Sequence, residues 1–168
     1  LSTLDNHVDT ANEQRHYLKL LHAAQAQNPL QLILVMDFTK LDFVTHSFND
    51  LIVVTYMGDI VKYQHFIGEP GVRNDLLFVI SVLNEHFVNR LSEFTEIHLW
   101  TDGGPKHFKL SAFMCYLHML QHCLPNTMLR YHYFVSYHGH SVCDAAAAHA
   151  KYELKEFVNT TNRVPKTA

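Results

Sequence analysis

One short stretch, Gln31–Asp37, constrains the fold of this chain more than any other. It reads Gln-Leu-Ile-Leu-Val-Met-Asp, an almost unbroken apolar run that ends on a carboxylate. Because Asn28 and Pro29 precede the run and polar residues follow it, it indicates a strand that is covered on both faces. An ionised Asp at the end of such a strand is costly unless a cation or a metal ion partners it. Asp37 is therefore a candidate site residue, although a carboxylate that caps a neighbouring turn also fits.

The composition indicates one domain and argues against several functional classes. The chain has 168 residues, of which 48% are hydrophobic, enough for a proper core. It has no apolar stretch close to the roughly 20 residues of a membrane span. Its three cysteines form no disulfide framework, which favours a reducing compartment. The net charge of −3 argues against a strong stand-alone nucleic-acid binder. The chain starts at Leu1 without a Met or a signal peptide, so we expect a fragment or a processed protein.

The order of the predicted elements is that of the ribonuclease H-like α/β topology. The elements are a helix (about 9–26), three strands (31–38, 51–56, 60–66), a helix (74–91), a strand (96–101), a helix (105–122), a strand (131–137) and a helix (141–158). Three strands followed by alternating helices and strands predict a mixed five-stranded sheet with helices on both faces. We predict one domain over residues 1–168, with a helical extension at 1–30 and a frayed tail at 159–168.

Three aspartates stand at informative places in this order. Asp37 ends the first strand, Asp102 ends the fourth, and Asp144 lies in the first turn of the last helix. If the first and fourth strands are neighbours, the three carboxylates meet at one edge of the sheet. Clustered carboxylates raise each other's pKa unless divalent cations lie between them. Mg²⁺ suits such a site, and two ions roughly 4 Å apart stabilise both oxygens of a phosphoryl displacement.

Each of these aspartates also has an ordinary structural explanation. Asp102 precedes two glycines, so it fits turn chemistry. Asp144 stands three residues after Ser141, so it fits the acidic half of a capping box. The coincidence of all three in a matching strand order favours a shared site.

The motifs around these aspartates resemble a known family. They read Val35-Met36-Asp37-Phe38, Trp100-Thr101-Asp102-Gly103-Gly104 with His107-Phe108-Lys109, and Tyr133-Phe134-Val135-Ser136 with His138-Gly139-His140 and Cys143-Asp144. Together with His7-Val8 and the helix that carries Gln14, they resemble DDE/D-type transposases of the ribonuclease H-like superfamily, particularly a eukaryotic transposon-derived group.

The resemblance implies a function for the candidate site. Asp37, Asp102 and Asp144 take the three catalytic, metal-ligand positions for two Mg²⁺ (or Mn²⁺) ions. The implied reaction is cleavage of a DNA phosphodiester by water, followed by strand transfer with a 3′-hydroxyl. Lys109 matches the family's aromatic-Lys pair, and His138 and His140 lie in a loop that leads into the site, so we expect these three to bind substrate. We also expect transposon ends or target DNA as partner, a homo-oligomer, flanking DNA-binding domains, no membrane association and a nuclear location.

Two departures from the family pattern keep alternatives open. His140 stands where the family usually has Lys, and Ala145–Ala148 replace a glycine-containing stretch. Neither removes a predicted ligand, but both allow a domesticated protein whose activity is weakened or lost and which serves as a DNA- or protein-interaction module. A ribonuclease H-like nuclease that does not transpose is a further alternative.

Outside these motifs, one group of residues could hold a second metal. Cys115, His118 and His122 are three and four residues apart in a predicted helix, which places them on one face, where they could share a zinc ion. Only three ligands are evident, and helical Cys and His often only pack, so both interpretations stand. We expect Cys143 to be a small buried residue and Trp100 to lie in the core.

Overall fold

The computed structural model describes residues 3–25, 27–43, 46–71, 73, 75–102, 108–135 and 142–161. The elements in chain order are α1 (Thr3–Gln25), β1 (Gln31–Phe43), β2 (His46–Met57), β3 (Ile60–Ile67), α2 (Leu76–His86), α3 (Val88–Leu91), β4 (Glu96–Thr101), α4 (Ser111–Cys123), β5 (Met128–Tyr133) and α5 (Val142–Thr161). This is the predicted α/β order, with one predicted helix divided into α2 and α3. No helix of the described ranges has both the length and the apolar character that crossing a bilayer requires.

The sheet is mixed and has the order β3-β2-β1-β4-β5. The pairs β1–β2 and β2–β3 are antiparallel, whereas β1–β4 and β4–β5 are parallel. β2 and β3 form a hairpin whose turn uses Gly58 at a φ of 55°, a conformation that glycine adopts without strain. The central position of β1 explains its apolar sequence, because a strand between two neighbouring strands and covered by helices on both faces has no solvent-exposed side.

Successive residues of β1 supply two separate cores. Leu32, Leu34 and Met36 pack under α2 and α4, in a cluster that includes Phe113 of α4. Ile33 and Val35, which alternate with these residues, pack on the other face of the sheet with Trp100 and the first turns of α5. Side chains of α1 pack against this second cluster. Asp37 follows Val35 by two positions, and Asp102 follows Trp100 by two positions. Both aspartates therefore lie on the face of the sheet that carries this second cluster. The candidate site therefore lies on the face of α1 and α5.

The first two strands are longer than predicted. β1 continues past Asp37 to Phe43, and β2 already starts at His46, with cross-strand pairs out to Phe43–His46. The start of β2 is polar, so its composition did not indicate a strand. Pairing across the hairpin satisfies the backbone groups there, and this outweighs weak local propensity. The site consequently lies beside a projecting two-stranded arm.

Two other boundaries differ because distant residues take over backbone groups. Phe108 to Leu110 are not helical, so the predicted start of this helix at Pro105 is wrong; Tyr131 donates a 3.0 Å hydrogen bond to the Phe108 carbonyl instead. β5 ends at Tyr133, where Gln14 of α1 accepts from the Val135 amide at 2.9 Å and donates to the Tyr133 carbonyl at 3.0 Å.

The remaining boundary differences concern two helices. The helix predicted over 74–91 breaks at Phe87, which has a φ of −124° and packs its ring 6.2 Å from that of Phe66. α5 runs three residues further than predicted, to Thr161, into the segment expected to fray; residues 162–168 lie outside the described part. Ser141, the predicted cap of α5, also lies outside it.

Three rings stack on β4 and β5, and two of them are titratable histidines. His132 lies 4.4 Å from Trp100 and 5.2 Å from His98 by ring centroids, and the two imidazoles share a 3.0 Å hydrogen bond. Burial is the main cause that lowers the pKa of His132 to about 4, and the nearby His98 and Arg130 add to it. Burial also lowers the pKa of His98.

We predict that this stack loses stability in acid. A histidine whose pKa is lowered on folding contributes stability that is complete above its unfolded pKa, near 6.5, and is lost as pH falls toward 4. For His132 this amounts to roughly 2 kcal/mol after allowance for its partial exposure. The variant His132→Gln should therefore show a shallower fall in unfolding free energy than wild type in urea titrations between pH 7 and 4.5. His16→Gln, at an exposed position of α1, is the control; equal pH slopes for wild type and His132→Gln would contradict this prediction.

Candidate active site

The register of β1 and β4 brings two of the predicted aspartates together. These strands are parallel neighbours in which Met36 pairs with Thr101. The next residues along the two strands are Asp37 and Asp102, so the two aspartates stand side by side where β4 ends, although β1 itself continues past Asp37 and stays paired with β2. Met36 and Thr101 are fully buried and face α2 and α4, hence the aspartates that follow them point to the opposite face, toward α5.

The first turn of α5 places Asp144 at the same edge. Cys143 is 1% exposed, and its thiol donates to the carbonyl of Val35 at 3.5 Å, with the Ile52 carbonyl at 3.9 Å. The prediction that Cys143 is a buried small residue is thus confirmed. This contact holds the helix against β1 two residues before Asp37, and the adjacent Asp144 is exposed at the edge of the sheet.

The electrostatics of Asp37 show that the three carboxylates share one field. Asp37 is partly buried, and this burial is the main cause that raises the pKa of its carboxyl to about 7. The negative charges of Asp102 and, less strongly, Asp144 raise it further, while a 2.7 Å hydrogen bond from the Phe38 amide lowers it. Asp102 and Asp144 follow Asp37 by 65 and 107 positions in the chain, yet both act on the carboxyl group of Asp37.

The donor set fits Mg²⁺ in its chemistry. It consists of carboxylate oxygens with excess negative charge, which is what this hard cation requires. Among residues 3–25, 27–43, 46–71, 73, 75–102, 108–135 and 142–161, however, no group of three or more His, Cys, Asp or Glu side chains is arranged closely enough to hold a metal ion. The aspartates thus lie within range of one another's charge without forming a closed cage. Mg²⁺ is commonly bound by one or two carboxylates together with water and phosphate, so an open arrangement is compatible with it.

The residues predicted to bind substrate are only partly placed. Lys109 is exposed, and its ammonium lies 4.2 Å from the centroid of the Tyr133 ring at the edge strand β5. A cation over an aromatic face keeps its charge available to solvent. Lys109 therefore stays a prediction as a substrate contact, and His138 and His140 lie outside the described residues.

Sequence reasoning did not single out Lys155. Lys151 and Lys155 follow Asp144 by seven and eleven residues, close to two and three helical turns, so the three share one side of α5. The two lysines line a cleft of about 390 Å³ between α5 and the projecting β1–β2 arm, with Leu41 and Leu154 also in its wall. Helical spacing from Asp144 was the signal that could have identified this row.

Comparison with known families and structures connects this geometry to relatives. A family model described as Domain of unknown function (DUF8701) matches residues 75–166, more than half of the chain. The chain belongs to the DUF8701 family. The matched part of this DUF8701 chain contains Asp102 and Asp144, while Asp37 lies before it. No curated protein matches the DUF8701 chain in sequence.

Solved structures similar to the DUF8701 chain come from retroviral integrases. One is the simian T-cell lymphotropic virus intasome in complex with PP2A regulatory subunit B56 gamma, with 19% identity, a TM-score of 0.51 and 88% of this chain covered. The DUF8701 chain spans 51% of that chain, about half its length. Another is the HTLV-2 integrase catalytic core domain in complex with magnesium, in a dimeric form (14% identity, TM-score 0.50, 82% of this chain and 77% of that chain).

A trimeric form of the same magnesium complex matches at 14% identity, with a TM-score of 0.50, 79% of this chain and 75% of that chain covered. Identities this low establish the fold alone. The DUF8701 chain has the ribonuclease H-like fold of integrase catalytic cores, as predicted.

Proposed function

We propose that this chain is the catalytic core of a transposase-like enzyme that cleaves DNA phosphodiesters and transfers the strand with the help of divalent metal ions. The observation that carries the proposal is the β1–β4 register, which sets Asp37 and Asp102 side by side at the edge where α5 presents Asp144. The magnesium complexes of the structurally similar HTLV-2 integrase core support Mg²⁺ as the ion.

In this proposal the chain's own residues have separate roles. Asp37, Asp102 and Asp144 would hold the metal ions, with Asp37 as the central ligand between its two acidic neighbours. The chemistry that bound Mg²⁺ supplies is stabilisation of the attacking and leaving oxygens of an in-line displacement. The positive charge also favours the ionised form of Asp37, whose pKa is raised by burial and by its two acidic neighbours.

The partners in this proposal follow from charge and from the structural relatives. A net charge of −3 argues against strong stand-alone binding of DNA. We therefore expect flanking DNA-binding domains or a second copy to supply further phosphate contacts, which fits a chain that spans half of the intasome integrase. On the resemblance to a eukaryotic transposon-derived group, we propose a nuclear location.

We predict that Lys151 and Lys155 contact the DNA backbone beside the cleaved bond. The two lysines lie ~10 and ~16 Å along the helix axis from Asp144, on the same side of α5. The double variant Lys151→Gln/Lys155→Gln should weaken duplex binding and reduce the slope of log affinity against log salt by about 2, since each phosphate contact contributes about 0.9. Fluorescence anisotropy at several salt concentrations measures both. Lys62→Gln, on the distant edge strand β3, should leave the slope unchanged; an unchanged slope in the double variant would contradict the prediction.

Cleavage assays on three substrates test the proposed activity. The substrates are plain duplex DNA, an RNA–DNA hybrid, and a branched duplex in which a free 3′-hydroxyl adjoins the bond to be exchanged, each with Mg²⁺ or Mn²⁺. The proposal is supported if the wild-type protein joins strands on the branched substrate and the variants Asp102→Asn and Asp144→Asn do not. Cutting of the hybrid alone would instead indicate a ribonuclease H-like nuclease.

The open spacing of the carboxylates favours one alternative, a domesticated core that no longer cuts DNA. Calorimetry separates it from the enzyme. If neither Mg²⁺ nor Mn²⁺ binds at millimolar concentration and no substrate reacts, the chain acts as an interaction module. Metal binding that Asp37→Asn abolishes would exclude this alternative.

A further inference from the structure

We propose that His118 and His122 on α4 bind a transition-metal ion of the zinc class, with the thiol of Cys115 as a third ligand. This site is separate from the aspartates, and the inference does not depend on the proposed DNA chemistry. It assigns a role to a group of residues that the candidate active site does not use.

The two imidazoles are already placed as a pair of ligands. His118 and His122 are four residues apart on α4, both are exposed, and their Nε2 atoms lie 3.2 Å from each other. Two nitrogens bound at ~2.0–2.1 Å to one tetrahedral ion lie about 3.3 Å apart. The observed separation is therefore close to the one that a shared ion requires. In the absence of metal, a hydrogen bond between the two Nε2 atoms accounts for the same distance. To bind a metal ion, the donor imidazole changes tautomer, so that its proton moves from Nε2 to Nδ1.

Cys115 supplies the third donor from the same side of the helix. It is an exposed free cysteine three residues before His118, and seven residues, or two turns, separate it from His122. In the described part of the chain these three side chains do not yet form a metal-binding group, so the thiol has to change rotamer to join the imidazoles. A surface cysteine has the freedom to do so. Two imidazoles and a thiolate are a ligand set that zinc accepts, and a water or a further group completes the four positions.

The fold keeps this site apart from the aspartates. Phe113, Leu117 and Leu120 of α4 pack into the core on the face of α2, whereas the aspartates lie on the face of α5. The sheet thus stands between the two sites. Their ligands also differ in kind, because nitrogen and sulfur donors select zinc-like ions while carboxylates suit Mg²⁺. Magnesium at millimolar concentration can therefore occupy the carboxylates without competing for the histidine pair.

The test is calorimetric titration of the folded chain with Zn²⁺ in the presence of millimolar Mg²⁺. We expect one Zn²⁺ per chain, and binding at least ~10-fold weaker in His118→Ala and in His122→Ala. His16→Ala, which removes one exposed histidine from α1, should bind as wild type does. Circular dichroism of each variant shows that it folds, so lost binding is not lost structure.

Cobalt reports on the thiol. Wild type titrated with Co²⁺ should show the near-ultraviolet thiolate-to-metal charge-transfer band, and Cys115→Ser should lack it while the imidazoles still bind. Zn²⁺ binding that is unchanged in the double variant His118→Ala/His122→Ala would overturn the site. A charge-transfer band that persists in Cys115→Ser would overturn the role of the thiol.

Discussion

Asp37→Asn is expected to abolish metal-dependent cleavage and, in the absence of divalent ions, to make the fold more stable. Loss of activity follows from the proposed role of Asp37 as the central metal ligand. Substitution of a residue that only hydrogen-bonds to a metal ligand typically lowers metal affinity or activity by about 10–100-fold. Removal of the central ligand itself should therefore lower activity by at least about 100-fold. Joining assays on the branched duplex in Mg²⁺ measure this effect.

The gain in stability follows from the raised pKa of Asp37. Burial, Asp102 and Asp144 raise this pKa from 3.8 in the unfolded chain to about 7 in the folded one. The contribution of Asp37 to stability is therefore complete below pH 3.8 and is lost as pH rises to about 7. At pH 8 an ionised Asp37 costs roughly 2–4 kcal/mol, which a neutral amide of the same shape avoids. Urea unfolding at pH 8 with a chelator present measures the difference.

Added Mg²⁺ should reverse the order of stability. An ion that binds only the folded state stabilises wild type but finds no complete site in Asp37→Asn. The matched control is Asp59→Asn, an exposed position in the turn between β2 and β3, which should change neither activity nor stability. Full activity in Asp37→Asn, or a variant less stable than wild type at pH 8, would contradict the proposed site.

Trp100→Ala is expected to destabilise the fold by about 3–5 kcal/mol, the usual cost of deleting a large buried aromatic side chain. Trp100 is 1% exposed, which confirms its predicted place in the core. Its ring lies 4.4 Å from that of His132, 5.0 Å from Phe134 and 6.0 Å from Tyr17 of α1. The side chain thus joins β4, β5 and α1 two residues before Asp102. We expect the variant to lose cleavage at temperatures where wild type is still folded.

Trp100→Phe separates packing from polarity at this position. The indole N–H of Trp100 is buried and has no hydrogen-bond partner among the described residues. Removal of an unpaired buried donor recovers about 1–3 kcal/mol, which offsets part of the lost volume. This variant should therefore stay within about 1.5 kcal/mol of wild type in urea unfolding. An equal loss in the Phe and Ala variants would show that the indole N–H has a partner.

The sequence alone determined that β1 is the central strand and in which order the helices and strands follow. The apolar run before Asp37 required a strand covered on both faces, and β1 lies between β2 and β4 with a core on each face. Helical and alternating periodicity predicted the order of elements, because burial on one face imposes the period of the element on its own sequence. The strand order then followed from known topology, and it implied that Asp37 and Asp102 emerge together.

Only the tertiary structure decided the ends of the elements and the spacing of the site. Gln14 ends β5 from a position 119 residues away from Tyr133, and Tyr131 displaces the start of α4 through the Phe108 carbonyl 23 residues away. Neither event leaves a local pattern, because the hydrogen bond that decides each one joins distant parts of the chain. The same holds for the carboxylates: the sequence placed them at one edge, but how far apart they stand depends on the packing of α5 against β1. Side-chain distances of this kind are a property of the packed core, and periodicity in a sequence does not encode them.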